Sequence, residues 1–321
     1  MIVVTGGAGF IGSNLVKALC GRGEREVLVV DDLRDGRKFS NLIDADILDY
    51  LDKDLFLKRL ESGRLSLNNA RAVFHLGACS DTTEWDGRYM MDNNYEYSKQ
   101  LLHHCRSHNV AFIYASSASV YGAGRNFQEG AECERPINMY GYSKALFDAY
   151  ARRHMDESGP QVTGLRYFNV YGPGESHKGR MASIAHHLDE QLRASGEVRL
   201  FEGCDGYADG EQLRDFVHVD DVVAVNLWFL DQPLSSGIFN VGSGRCQSFN
   251  EVARAVIAWH GRGHIHYVPF PEDLKGRYQS YTEADLSQLR AAGCDVQFRG
   301  VEEGVRDYLD YQHHARVGAK R

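Results

Sequence analysis

The sequence predicts an α/β protein: a doubly wound parallel sheet with helices on both faces, joined to a smaller, interleaved α/β C-terminal lobe. Three observations predict it. Short β-branched runs alternate with helical patterns through the first half, a glycine-rich turn separates the first strand from the first helix, and the alternation loosens after about residue 170. Strand–helix alternation implies parallel strands, because a parallel pair cannot be closed by a tight turn and needs a crossover, usually helical.

Taken in order, "MIVVT" forms a strand at the first residue, a helix follows near 10–22, and "EVLVV" is the second strand. A third strand is expected around "DADIL" (44–48), then a helix near 53–62, the strand "AVFHL", a helix near 93–108 and the strand "AFIYAS". Another helix opens within "INMYGYSKALF" (137–147), and "VTGLRYFNV" (162–170) reads as the next strand. Beyond it, "YGPGESHKGR" is a loop, "MASIAHHLDEQLRAS" a helix and "CDGYADGEQL" (204–213) a polar loop. "DFVHVDDVVAVNLWFL" returns to strand and helix, and "GIFNVGSG" is a buried strand ending in a turn.

The first turn carries chemistry. "VVTGGAGFIGSNLVKAL" sets Gly6, Gly7, Gly9 and Gly12 between strand and helix. Such glycines serve a tight turn, close backbone approach to a pyrophosphate, and close helix–strand packing, while the helix N-terminus offers free N–H groups to phosphate. An acid ending the second strand, Asp31, stands where a ribose hydroxyl is bound, which makes this a Rossmann-type dinucleotide site and not a bare glycine turn. Arg34, Arg37 and Lys38 follow, with Lys53 beyond, so a 2′-phosphate is open as well: the residues admit NAD or NADP. The chain is read as a dinucleotide-binding domain over 1–170, with 215–245 returning to it, and a substrate-binding lobe over 171–214 and 246–321.

Composition bounds the rest. The chain has 321 residues, 43% hydrophobic and 25% charged, with a formal charge of −8, which argues against a general nucleic-acid binder. The longest apolar stretches are too short for a bilayer, and a strand beginning at residue 1 leaves no room for a signal peptide. Seven cysteines, scattered and without a CxxC, suit free thiols in a reducing compartment, so a cytoplasmic protein without a structural metal is expected.

Two strand ends face the ligand edge of such a sheet. "AVFHLGACSD" brings Gly77 and Ala78 to the dinucleotide, with His75 read as a packed core histidine. "YASSASVYG" brings Ser116 and Ser117. Tyr140 and Lys144 lie one helical turn apart and leave the same face. A serine to hold a substrate oxygen, a tyrosine as acid–base and a lysine for the nicotinamide ribose make a workable hydride-transfer set. An ordinary tyrosine pKa near 10 is too high for a base, so the Lys144 ammonium and an oxidised ring are expected to lower it. By itself Tyr-x-x-x-Lys is a common packing spacing.

Together, Gly6-x-x-Gly9-x-x-Gly12, Ser117, Tyr140-x-x-x-Lys144, "RYFNVYGP" (166–173), "RDFVHVDD" (214–221) and "FNVGSG" (239–244) resemble the extended short-chain dehydrogenase/reductases that act on nucleotide sugars. "SDTTEWDGRYMMDNNYEYSK", "ESHKGRMAS", "FEG" and "LKGRYQSYTEADL" resemble an epimerase branch acting on an ADP-linked sugar. That resemblance implies NADP as cofactor and a homo-oligomer, a pentamer. It implies a cofactor shell of Gly6, Gly9, Phe10, Ile11, Gly12, Asp31, Asp32, Lys38, Lys53, the loop Leu76, Gly77, Ala78, Cys79 and Ser80, Asn93, Lys144, Val170 and Lys178. It implies an ADP-sugar contacted by Asn169, Arg180, His187, Phe201, Glu202, Gly203, Cys204, Arg214 and Tyr278. Arg180, Arg214, Lys275 and Arg277 are the cations available to its diphosphate.

Inverting a carbon requires an acid–base group on each face of a ketone or a turning intermediate. Tyr140 serves one face. The resembling family places a second catalytic lysine at Lys178, which the residues alone equally allow as a phosphate contact. The 204–213 loop is longer than the resembling family leads one to expect, and Asp31–Asp32 set two acids where a 2′-phosphate would bind. Two other readings compete. A dehydratase would carry an acidic pair where Ala118 and Ser119 stand, whereas a reductase would need exchangeable NADPH. A non-catalytic dinucleotide sensor would typically have lost Tyr140 or Lys144.

Overall fold

The computed structural model describes residues 1–155, 159–232, 235–272 and 278–318. Its centre is a seven-stranded parallel sheet: β1 (Ile2–Thr5), β2 (Val27–Asp31), β3 (Asp49–Asp52), β4 (Ala72–His75), β5 (Ala111–Ser117), β6 (Val162–Tyr167) and, from far along the chain, the strand Gly237–Val241. Across the sheet the order runs β3-β2-β1-β4-β5-β6 and then that last strand. The order reverses between β1 and β4, which makes the carboxyl ends of these two strands the topological switch point where such sheets bind ligands.

The strands are apolar on both faces because helices cover both. On one side α1 (Phe10–Gly21) packs Leu15, Val16 and Leu19 against Val4, Val29 and Phe74. On the other, α2 (Lys53–Glu61) and the helices preceding and following β5 bury Phe56, Leu101 and Phe147 against Val3, Leu28 and Phe112. Asp52 caps α2 through the Asp54 and Leu55 amides, worth about 1 kcal/mol.

Several expectations change. The third strand is Asp49–Asp52, not 44–48; it pairs with β2 in the register Val30↔Leu51, and Leu51 is its one buried side chain. Leu48, counted as part of an apolar run, is exposed. The helix expected near 93–108 begins earlier, as α3 (Gly87–Met90), and reaches α4 (Tyr97–Ser107) through a π-helical stretch, Met91–Glu96. The run 162–170 divides into β6 and β7 (Asn169–Tyr171), which belong to different sheets. Tyr140 and Lys144 lie on α5 (Met139–Arg152), capped by Asn138, whose Oδ1 accepts from the Gly141 amide at 2.7 Å.

The C-terminal half interleaves. After β7 come α6 (Ile184–Ser195) and β8 (Glu197–Phe201), then β9 (Leu213–His218), which pairs with β7 in a three-stranded sheet and not in the central one. The helix α7 (Val219–Asp231) packs on the core with α1, and β10 (Gly237–Val241) is the seventh central strand beside β6. The remaining elements escaped the sequence reading: β11 (Cys246–Ser248), α8 (Phe249–His260), β12 (His264–Val268), α9 (Ser287–Ala291) and α10 (Val301–Gly318). With α6 and β8, the helices α8 and α10 bury a core of their own, including Leu188, Val256 and Tyr308. No helix among the described residues is long and apolar enough to cross a membrane.

Candidate active site

The glycine turn lies at the switch point. Gly6 has φ +67°, and a Cβ there would meet the Gly77 amide at 2.5 Å, so the ends of β1 and β4 touch backbone to backbone. A Cβ on Gly12 would meet the Gly6 carbonyl oxygen at 2.1 Å. The N-cap of α1, Gly9, supplies no side-chain cap, and the first turn carries no acid. Its N–H groups and dipole therefore stay available to an anion, and the cradle fits a dinucleotide pyrophosphate.

At the end of β2, Asp31 is buried and accepts from the Ala8 amide (2.8 Å), the Asp32 amide (2.6 Å) and Lys38 Nζ (3.0 Å). The basic residues of this loop are not free. Lys38 pairs with Asp31, Arg34 with Asp32 at 3.5 Å, and Arg37 with Asp35. Beside them opens a cleft of about 150 Å³ lined by Asp31, Asp32, Lys38, Lys53, Cys79 and Asn93 among others. Lys53 Nζ donates to Asn93 Oδ1 at 2.6 Å, and its nearest carboxylate is the exposed Asp54 at 3.9 Å.

The loop after β4 is held by a residue the sequence reading passed over. Asn94 Oδ1 accepts from the Cys79 amide at 2.8 Å, and its Nδ2 donates to the Cys79 carbonyl at 2.9 Å and to Ser143 Oγ at 3.2 Å. It is buried while the neighbouring Asn93 lines the cleft; both lie in the π-helical stretch Met91–Glu96. Leu76 donates to the Thr5 carbonyl at 3.0 Å, Ala78 lines the cleft, and Ser80 is exposed. Phe10 is buried, and Ile11 and Val170 are half-buried against the core.

His75 is a core histidine: Nδ1 meets Thr5 Oγ1 and Nε2 meets Ser98 Oγ, both at 2.7 Å. Burial drives its pKa down to about 3. The unfolded chain takes up that proton near 6.5, so His75 withdraws stability as pH falls from 6.5 towards 3, at up to about 1.4 kcal/mol per unit. Urea unfolding at pH 7 and pH 5 is expected to show a shallower acid loss in His75→Gln than in the parent protein; equal slopes would contradict this.

At the end of β5, Ser117 lies beside the Tyr140 phenol, and its Oγ accepts from the Ser119 amide at 3.2 Å. Lys144 is buried and donates from Nζ to the Ala115 carbonyl at 2.8 Å. Burial brings Lys144 down to about 8, opposed by the charge of Asp148. In the protein alone, burial holds the Tyr140 phenol above the ordinary value, the Ser117 hydroxyl works against that, and Cys79 and Asp148 add to the rise. Lys144 does not set this pKa in the protein alone because its ammonium is turned to the Ala115 carbonyl.

Lys178 lies on the turn after β7. Its ammonium lies 5.2 Å from the centre of the Phe10 ring, at the start of α1. Among the described residues it has no carboxylate within ion-pair distance; burial lowers its pKa and Glu175 opposes this. The turn carrying it is clamped by the fully buried Glu175, which accepts from the Gly172 amide (3.2 Å), the Ser183 amide (2.5 Å) and Ser183 Oγ (2.7 Å). Arg180 was expected among the substrate's cations but is a surface residue, paired with Asp81 at 3.0 Å and bonded to Thr83.

Arg214 is different. It is buried, its Nη1 donates to the Leu213 carbonyl at 3.1 Å, and its guanidinium lies 4.7 Å from the Tyr278 ring and 5.7 Å from Phe249. No carboxylate among the described residues pairs with it, and burial lowers its pKa. Phe201, Phe270 and Tyr278 form an aromatic row leading to it, with ring centres 5.5 and 5.3 Å apart. An unpaired buried guanidinium beside aromatic faces is suited to an anion attached to a planar group.

The extended loop folds onto this place. Glu202 donates to the Val268 carbonyl (2.8 Å), Gly203 to Asp209 Oδ1 (2.8 Å), and Gln212 Nε2 to Cys204 Sγ (3.5 Å). Asn169 donates to the Asp215 carbonyl at 3.2 Å and to Thr282 Oγ1 at 3.1 Å, while His187 is half-buried against His186. Lys275 and Arg277 lie outside the described residues.

Comparison with known proteins agrees with this geometry. Residues 2–242 match the model of the NAD dependent epimerase/dehydratase family. An ADP-L-glycero-D-manno-heptose-6-epimerase of Alkalilimnicola ehrlichii is 63% identical over 310 residues, 97% of each chain. Its namesake in Thiobacillus denitrificans is 58% identical, over 96% of this chain and 97% of the other. The crystal structure of the Helicobacter pylori ADP-L-glycero-D-manno-heptose-6-epimerase superposes with a TM-score of 0.83 at 34% identity, covering 97% and 96% of the two chains.

Proposed function

Because the chain belongs to the NAD dependent epimerase/dehydratase family, we propose that it inverts carbon 6 of the heptose in ADP-D-glycero-D-manno-heptose, giving ADP-L-glycero-D-manno-heptose. The observation that carries this reading is the Ser117–Tyr140–Lys144 set at the carboxyl edge of β5 in a chain so extensively identical to epimerases of that name.

The Gly6–Gly12 turn, Asp31 and Lys144 would hold a nicotinamide cofactor, which would supply the hydride chemistry at the carbinol carbon. The chain's own residues do the rest. Ser117 holds the reacting oxygen and Tyr140 exchanges its proton on one face of the ketone, taking it in one direction of the reaction and giving it in the other. Lys144 fixes the ribose hydroxyls and supplies positive charge beside the phenol. Lys178 serves the opposite face of the ketone. Its dry surroundings, its lack of an ion-pair partner among the described residues and its lowered pKa suit a lysine that trades a proton. Arg214 and Tyr278 take the ADP portion, with Phe201, Asn169, His187 and the 202–204 turn completing a substrate lobe built from 171–214 and 246–321.

The cofactor in this reading is NADP. Support comes from Lys53 and Lys38 beside the cleft at Asp31, with Lys53 the less neutralised of the two. The product serves the inner core of lipopolysaccharide, and the chain works in the cytoplasm as a homo-oligomer, a pentamer; the resemblance supports these points, and the seven free thiols suit a reducing compartment.

The test is incubation with ADP-D-glycero-D-manno-heptose without added cofactor, following configuration at carbon 6 by NMR. Conversion to the L-glycero epimer is expected; no conversion, with turnover of a UDP- or GDP-hexose instead, overturns the substrate. In the same assay Lys178→Met is expected to lose at least a hundredfold in both directions. Full activity both ways would dismiss the two-base arrangement.

A further inference from the structure

Tyr140, Lys144 and Asp148 succeed one another at one-turn intervals on α5. The first two belong to the reaction set; the third has no part in it so far. Asp148 is fully buried and accepts from three donors on two strands. Tyr114 donates its hydroxyl to Oδ1 at 2.9 Å, Ser116 to Oδ2 at 2.8 Å, and Arg166 its Nε to Oδ2 at 2.9 Å. Arg166, equally buried, continues to the Tyr121 hydroxyl at 2.9 Å and to Glu134, which Arg152 also meets.

The groups around Lys144 come from several elements. On α5 they are Tyr140 and Asp148, and on β5 the Ala115 carbonyl with Tyr114, Ser116 and Ser117. From β4 comes His75, which burial keeps neutral; from β6 comes Arg166, behind Asp148; Cys79 lies by Tyr140. Asp148 is the one acid of this set.

We propose that Asp148 is a positioning residue for the reaction centre. Its carboxylate ties the Ser116–Ser117 strand end to α5 and keeps Lys144 an ammonium in a place too dry to hold that charge unaided. Two observations converge on it. The three hydrogen bonds join α5, one turn after Lys144, to β6 and to the strand β5 that ends in Ser117. Among the described residues Lys144 makes no ion pair, and Asp148 is the charge that opposes its desolvation. The proposal rests on the reading of Lys144 as functional, which the experiment tests separately.

The pH dependence of kcat/KM of the holoenzyme reads it out. Activity that needs the Lys144 ammonium is lost as pH rises through its pKa, so this group governs the alkaline limb. Asp148→Asn keeps the shape and removes the charge, and is expected to move that limb to lower pH by about one unit or more. Asp148→Glu is expected to restore much of the position. A fold defect alone lowers the amplitude and leaves the limb where it was. Should Asp148→Asn not fold, Tyr114→Phe combined with Ser116→Ala is the substitute. It strips both neutral donors from a carboxylate that keeps its charge, and the limb is expected to move upward. Lys144→Met is expected to be inactive at every pH; an active Lys144→Met would remove the premise and the proposal with it. An inactive Lys144→Met with an unmoved limb in Asp148→Asn would overturn the proposal alone.

Discussion

Tyr140→Phe is expected to reduce epimerisation by about 10²–10⁴-fold in kcat, in both directions, with substrate KM and bound cofactor nearly unchanged. The replacement removes one oxygen and keeps the ring that fills the half-buried space beside Ser117. The size of the effect follows from the surroundings. Burial already holds the phenol above its ordinary pKa, so no water-exposed residue beside it can assume the role at neutral pH. Ser117 is left with the Ser119 amide as a donor to its oxygen and with no acid–base partner. The measurement is initial rates by NMR at carbon 6 with thermal unfolding as a control on folding. A loss of less than tenfold would move the proton transfer elsewhere and leave Tyr140 a packing residue beside Ser117.

Gly12→Ala is expected to yield protein without cofactor. The added Cβ would lie 2.1 Å from the Gly6 carbonyl oxygen and 2.9 Å from Gly7 Cα, both rigid backbone. The turn must then lift from the helix, and the amides at the start of α1 lose their common aim on the pyrophosphate. Overpacking of this kind costs about 1–3 kcal/mol of stability, which a chain of this size can survive. Protein purified and denatured should release dinucleotide from the parent but not from Gly12→Ala, and activity should fall to the limit of detection. Chromatography of the released dinucleotide also identifies it as NADP or NAD. Normal cofactor content in the variant would show that the turn tolerates a shift of about an ångström.

Much of the fold was legible in the chain because its signals are local. The alternation of strand and helix, the glycine turn and the one-turn spacing of Tyr140 and Lys144 each depend on residues within a dozen positions. Other features were not legible, for identifiable reasons. The π-helical stretch Met91–Glu96 changes the backbone hydrogen-bond register, which side-chain periodicity does not report, so Asn94 could not be separated from Asn93. The strand at 49–52 has a single buried apolar residue, and the more apolar segment before it drew the assignment. Arg180 and Arg214 look alike as letters; one is spent on Asp81 at the surface, and the other is buried against Tyr278 without a carboxylate among the described residues.

The sequence by itself determined the α/β class and the glycine turn, and it singled out Ser117, Tyr140 and Lys144 as the candidate trio, since each is written in short-range pattern and residue chemistry. Tertiary structure alone decided the electrostatics of that trio. Dry packing raises Tyr140, the Ala115 carbonyl claims the Lys144 ammonium, and Asp148 opposes the cost of burying that charge. It also left the buried Arg214 without a carboxylate partner among the described residues. The reason is that desolvation and ion pairing depend on which groups from distant segments close around a site, and a pKa or a free charge is a property of that enclosure, not of the residue.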